Sequence, residues 1–291
     1  MLSLAPILDG AGGASVAVMP RDRDHDTAYY DRTYEAAADE LYARIRLEAF
    51  GEEIGQFSWL TADEYQRFFA LLGIDPSSHV LEVASGSGGP ALFMAQETGC
   101  RVTGLDIHEA GVDAANAKAR DLGLADRASF VCADAQQRLP FDDGLFDALT
   151  CIDSFNHLYD REHVLGEWHR VLCPGARLLL TDPITVTGML RREEMISRSG
   201  SMGEFVFTPP GVDEQLLRNA GFVDIRVEDV TESMDRVASR WRAARATHRE
   251  ALDGIEGEKE DAAFQSFLDT VATLARERRL SRFAYLASKP A

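Results

Sequence analysis

Val80-Leu81-Glu82-Val83-Ala84-Ser85-Gly86-Ser87-Gly88-Gly89-Pro90 is an apolar run of strand length that breaks into a glycine-rich turn and reopens as a helix. Glycine in such a turn lets the chain bend tightly and lets a ligand approach main chain with no Cβ in its way. About twenty residues later a second apolar run, Arg101–Asp106, ends in an acid, and a carboxylate placed there can accept both hydroxyls of a ribose. A third run, Ala128–Cys132, leads into Ala133-Asp134-Ala135, where Asp134 can accept from an exocyclic adenine amine. A bare glycine turn is often only a tight connection. Here a strand precedes it, a helix follows it and an acid stands at the expected distance, and together these point to a nucleoside.

Working outward, short apolar runs alternate with helical stretches. Strands are expected at His79–Ala84, Arg101–Asp106, Ala128–Cys132, Leu145–Cys151 and Arg177–Asp182, and helices at Pro90–Glu97, Glu109–Leu122 and Arg161–Leu172. Phe222–Val230 and Arg282–Ser288 read as two further strands. The pattern predicts a doubly wound α/β fold, a seven-stranded and mostly parallel sheet with helices on both faces. Before it, residues 1–26 read as a flexible tail and 27–60 as an N-terminal helical lid. The main domain is expected over 61–291, its first helix opened by Thr61 and Glu64 as a capping box. Within it, Trp241, Phe264, Phe267, Leu268, Val271 and Leu274 give the stretch 231–279 the apolar face of a helical cap.

The chain has 291 residues, ample for a buried core, and its 48 acidic against 30 basic residues leave a net charge of −18. That balance argues against a protein whose main task is to neutralise nucleic-acid phosphates. Cys100, Cys132, Cys151 and Cys173 form no C-x-x-C pair, and they read as buried free thiols in a reducing, cytoplasmic setting. No apolar run is long enough to span a membrane. His157, His163 and His169 stand six apart, which on a helix turns successive rings by about 240°, so no metal site is expected.

The glycine spacing alone does not decide which nucleotide is bound, because Ala91 falls where a dinucleotide site tolerates alanine. Glu82, two residues before the turn, would repel a pyrophosphate and suits the ammonium of an amino-acid ligand. Adenosylmethionine is the ligand suggested.

The same ordered stretches resemble class I S-adenosylmethionine-dependent methyltransferases. They are Glu82–Gly88, Gly104-Leu105-Asp106, Ala133-Asp134-Ala135, Leu139-Pro140-Phe141 with Phe146-Asp147, and His169–Gly175 followed by the strand Arg177–Asp182. Ala84 departs from the family pattern, which has glycine at that place. The helical lid, the loop Gly55–Leu60 and the helical insertion before the last strand are similar to the small-molecule branch. That branch holds sarcosine and dimethylglycine N-methyltransferases and rebeccamycin-type sugar O-methyltransferases.

The resemblance implies S-adenosyl-L-methionine as cofactor, bound by Glu82, Ala84, Ser85, Gly86, Gly88, Asp106, Ile107, Asp134, Ala135, Cys151 and Trp59. It implies methylation of a small molecule at N or O, with C-methylation as an alternative and a nicotinamide-dependent oxidoreductase or a non-catalytic nucleotide-binding module as weaker rivals. His157 is the expected base, as in the sugar O-methyltransferases; the plain alternative is a histidine that caps the following helix. Asp182 would orient that histidine or bind the acceptor, and Tyr30 and Asn156 would contact the acceptor. No metal, nucleic acid or membrane is expected as partner, and a homodimer is left open.

Overall fold

The computed structural model describes Tyr30, Thr33, Tyr34 and residues 39–199 and 205–291. The tail expected over 1–26 and much of the start of the lid lie outside these residues. Helix α1 (Glu40–Phe50) begins where the Asp39 side chain accepts from Leu41 N, and α2 (Ala62–Leu72) where Thr61 Oγ1 accepts from Glu64 N at 3.4 Å. The capping box is only half made, because the Glu64 carboxylate turns away to Arg282 and Ser233. Then follow β1 (His79–Val83), α3 (Gly89–Thr98), β2 (Arg101–Asp106), α4 (Glu109–Asp121), β3 (Ala128–Cys132) and β4 (Phe146–Ile152). A 3-10 turn, Phe155–His157, leads to α5 (Arg161–Val171) and β5 (Leu172–Val186).

Two helices outside those expected from the sequence come next, α6 (Arg192–Ser199) and α7 (Val212–Asn219), and then β6 (Val223–Asp229). The cap comprises α8 (Thr231–Thr247), α9 (Arg249–Ile255) and α10 (Glu258–Arg276), and β7 (Leu280–Ser288) closes the sheet. Strand β5 is longer than Arg177–Asp182. Past Asp182 it resumes with Thr185 and Val186 paired to Ser281 and Leu280, and the register shifts at Pro183, which has no N–H to give.

The seven strands run in the order β3-β2-β1-β4-β5-β7-β6, parallel except for β7, which is antiparallel to both of its neighbours. The winding reverses between β1 and β4, and a crevice at the carboxyl ends of the strands at such a switch point is where open α/β sheets bind ligands. Apolar side chains fill both faces. One face packs Val80 with Tyr65, Phe68, Leu92 and Phe130, and the other packs Leu81 and Val83 with Phe146, Phe155 and Trp168. A separate cluster joins α1 to the cap through Ile45, Phe50, Trp59, Trp241 and Phe267.

Of the four free cysteines only Cys100 and Cys151 are buried. Cys132 is exposed, because it ends β3 at the rim of the sheet, and Cys173 is half-buried, which corrects the expectation of four buried thiols. No helix among the described residues is long and apolar enough to cross a membrane.

Candidate functional site

Strand β1 delivers its chain into a turn with three left-handed residues, Ala84 (φ 57°), Gly86 (φ 54°) and Gly88 (φ 76°). Alanine holds that conformation at a cost of roughly 1–2 kcal/mol, so the turn is kept by its surroundings. The main restraint is Asp106 at the end of β2, where Oδ2 accepts from Gly86 N at 2.7 Å and Oδ1 from His108 N at 2.9 Å. Burial raises the carboxyl's pKa, while the two amides and the nearby His108 act to lower it. A carboxylate has about four acceptor positions, so two remain for ligand hydroxyls.

A cavity of about 1000 Å³, counted out to its open mouth, lies over this turn at the carboxyl edge. Its walls are Ala84, Leu105–His108 from the end of β2, Ala133–Gln136 after β3, Ser154, His157 and Leu158 after β4, and Tyr30 and Tyr34 from the lid. Four ends of neighbouring parallel elements thus meet at one hollow. Among the expected site residues, Ala84, Asp106, Ile107, Asp134, Ala135, Tyr30 and His157 share this wall. Ser85, Gly86 and Gly88 form the turn behind it. Ile107 is half exposed at 52% and offers an apolar surface next to Asp106.

His157 ends the 3-10 turn. Its Nε2 lies 3.2 Å from the Tyr30 hydroxyl, and its ring packs edge-on against Phe205 with centroids 4.8 Å apart. The capping role is taken by another residue, since Asp160 accepts from His163 N at the start of α5. Asp153 (φ 52°) fixes the turn from the other side, accepting from Trp59 N, Thr181 Oγ1 and Arg282 Nε at 2.7–2.9 Å.

Five expected residues stand away from the cavity. Trp59 is buried against Trp241 and Phe267, joining the lid to the cap. Cys151 is enclosed in β4, where burial pushes its thiol pKa up. Asp182 is fully buried and bonded to Arg161 at 3.1 Å and Ile184 N at 3.0 Å, so it orients a structural arginine and not His157. The buried Asn156 uses its main-chain carbonyl to accept from Val206 N, and its Oδ1 has no partner.

Glu82 is the fifth, and it is the correction with most consequence. In a strand, side chains alternate, so Glu82 shares the face of Val80 and points into the packed side of α2. There the Tyr65 hydroxyl donates to Oε2 at 2.8 Å, and burial lifts the carboxyl's pKa to about 7. Because the folded chain then holds a proton that the unfolded chain has released, stability falls as pH rises from the ordinary carboxyl range through 7. Glu82→Gln is expected to flatten this slope in urea titrations at about pH 5 and pH 8, with cofactor affinity changed less than about threefold. A large loss of affinity would restore Glu82 to the ligand.

Leu105, His108, Gln136, Ser154 and Leu158 are wall residues that the sequence reading does not single out. A signal is present, since each lies within a few positions of a strand's carboxyl end. No group of three His, Cys, Asp or Glu able to hold a metal occurs among the described residues.

A family model described as a methyltransferase domain matches residues 81–180. The chain is 32% identical over 230 residues to 27-O-demethylrifamycin SV methyltransferase of Amycolatopsis mediterranei, covering 77% of this chain and 82% of that protein. It is 33% identical to sarcosine/dimethylglycine N-methyltransferase of Halorhodospira halochloris, covering 71% of this chain and 70% of the other. Among solved structures, the phosphoethanolamine N-methyltransferase 2 of Haemonchus contortus with S-adenosyl-L-methionine shares the fold. Its TM-score is 0.77 at 20% identity, over 94% of this chain and 61% of that one.

Proposed function

The chain belongs to the S-adenosylmethionine-dependent methyltransferases, and on that premise we propose that it methylates the oxygen or nitrogen of a small molecule held beside Tyr30 and His157. The observation that carries this reading is that one cavity is walled both by the acids that end β2 and follow β3 and by the Tyr30–His157 pair.

The residues fit an adenosyl group. Asp106 keeps two acceptor positions for a ribose diol, Asp134 stands on the same wall to accept from an adenine amine, and Leu105, Ile107, Ala135 and Leu158 give apolar surface for a flat base. When bound, S-adenosylmethionine supplies an already activated methyl on a sulfonium. What the chain does is hold, align and exclude water, and alignment can account for on the order of 7–11 kcal/mol of a barrier. His157 takes the proton from an acceptor hydroxyl, and the Tyr30 hydroxyl at its Nε2 fixes the ring. An amine that arrives neutral needs less of this help. The α1–cap cluster around Trp59 and Trp241 closes the lid side. The two buried free thiols support a reducing cytoplasm as the place of action.

The test is calorimetry with S-adenosylhomocysteine and with NAD, followed by label transfer to a panel of alcohols, phenols and amines. Binding of the first ligand alone is expected. Asp106→Ala is expected to weaken it more than about tenfold, since a hydrogen bond to a charged group contributes about 1.5–3 kcal/mol. Unchanged affinity in that variant would remove the ribose from Asp106.

A further inference from the structure

Most buried arginines among the described residues have acids within reach. Arg161 is paired with Asp182 and Asp213, Arg245 with Glu256 and Asp261, and Arg282 with Glu64 and Asp153. Arg198, on α6, is 2% exposed, its side chain makes no ion pair or hydrogen bond to any other described residue, and its Nε is enclosed without a partner. Its guanidinium lies over two rings, 4.8 Å from the centroid of Phe205 and 5.1 Å from that of Phe267. Ring contacts of this kind return only part of what it costs to take an ion out of water. Burial lowers its pKa to about 10, so the group is still charged at neutral pH.

An isolated buried cation is retained where something anionic comes to it. Its position says where. Phe205 packs against Arg198 on the one hand and against the His157 ring, also at 4.8 Å, on the other. After burial, the group that acts most on Arg198 is Tyr30, followed by Asp182 and Asp153, and these two acids are already held by Arg161 and Arg282.

We propose that the molecule methylated here carries an anionic group, a carboxylate or a phosphate, that is bound by Arg198 next to the Tyr30–His157 pair. This rests on the methyl-transfer reading of the cavity. A planar guanidinium matches either anion through two parallel hydrogen bonds, which fixes the orientation of the acceptor as well as its place.

The full chain, loaded with S-adenosylhomocysteine, is unfolded thermally in chloride, acetate or inorganic phosphate at equal ionic strength. Acetate or phosphate is expected to raise the wild-type midpoint by at least ~2 °C over chloride, and the better of the two names the anion class. Arg198→Met is expected to lose that shift and to unfold no lower than wild type in chloride, because it removes an uncompensated charge. A general salting effect would survive the substitution. A wild type indifferent to both anions, or a shift retained in Arg198→Met, overturns the proposal. If Arg198→Met does not fold, Arg198→Lys replaces it, with about tenfold weaker phosphate binding expected and equal binding overturning the idea. Affinity for S-adenosylhomocysteine, measured in the same samples, fails separately if the methyl-transfer reading itself is wrong.

Discussion

His157→Ala lowers turnover with a hydroxyl acceptor by ~10²–10⁴-fold and leaves affinity for S-adenosylhomocysteine within about threefold. The size follows from what general-base removal costs when a proton must leave in the transition state. The selectivity follows from position. His157 stands on the wall after β4, its Nε2 on Tyr30 and its ring on Phe205, while the ribose and adenine contacts are assigned to the ends of β2 and β3. Neither the turn nor the next helix needs the imidazole, because Asp153 fixes the former and Asp160 caps the latter. Tyr30→Phe is the milder companion, expected to lose roughly tenfold through a misdirected ring. Single-turnover label transfer beside calorimetry separates the two effects. Normal turnover in His157→Ala would leave the histidine a packing residue and would send the search for a base to His108.

How much of this is legible in the sequence depends on what each residue competes with. Strands β1 to β4 can be placed to within a residue or so, because each is an apolar run cut short by a glycine, an acid or a charged turn. Asp106, Asp134 and Ala84 are legible for the same reason, since the end of a buried parallel strand is a position with one direction to face. Helix α6 is not, because it carries no sustained apolar period: it exposes Met195 and Ile196 and buries Arg198. Helix α7 does carry one, Val212 with Leu216, Leu217 and Ala220, in a stretch so short that the sequence reading passes over it. Trp59 misleads because an aromatic in a loop can cover a ligand or a second helix with equal ease, and only the packing of Trp241 and Phe267 decides it. Asp182 misleads because its partner, Arg161, opens a helix 21 residues earlier, and no local pattern links the two. Glu82 is within reach of sequence reasoning. Strand alternation alone sets it on the face of Val80, away from the turn that follows.

Arg282→Ala destabilises the fold by about 3–5 kcal/mol, the largest stability effect expected at a single position here. Arg282 is wholly enclosed in β7 and donates to Asp153 Oδ1 and Glu64 Oε2, each at 2.7 Å, and to Ser233 Oγ at 3.0 Å. It therefore ties the first helix of the domain, the cap and the turn after β4 to a single strand. Removing it leaves two nearly buried carboxylates without a counter-charge, and that penalty outweighs the loss of the bonds themselves. Arg282→Met combined with Asp153→Asn and Glu64→Gln removes all three charges and is expected to recover most of the loss, measured as the urea midpoint at constant slope. If the triple variant is as unstable as Arg282→Ala, lost packing and not stranded charge is the cause. The same pair of variants bears on chemistry. Asp153 leads directly into the turn that carries His157, so a fold rescued by neutral residues should still turn over more slowly, because a side-chain amide in place of the Asp153 carboxylate has one acceptor oxygen where two now hold Trp59 and Thr181.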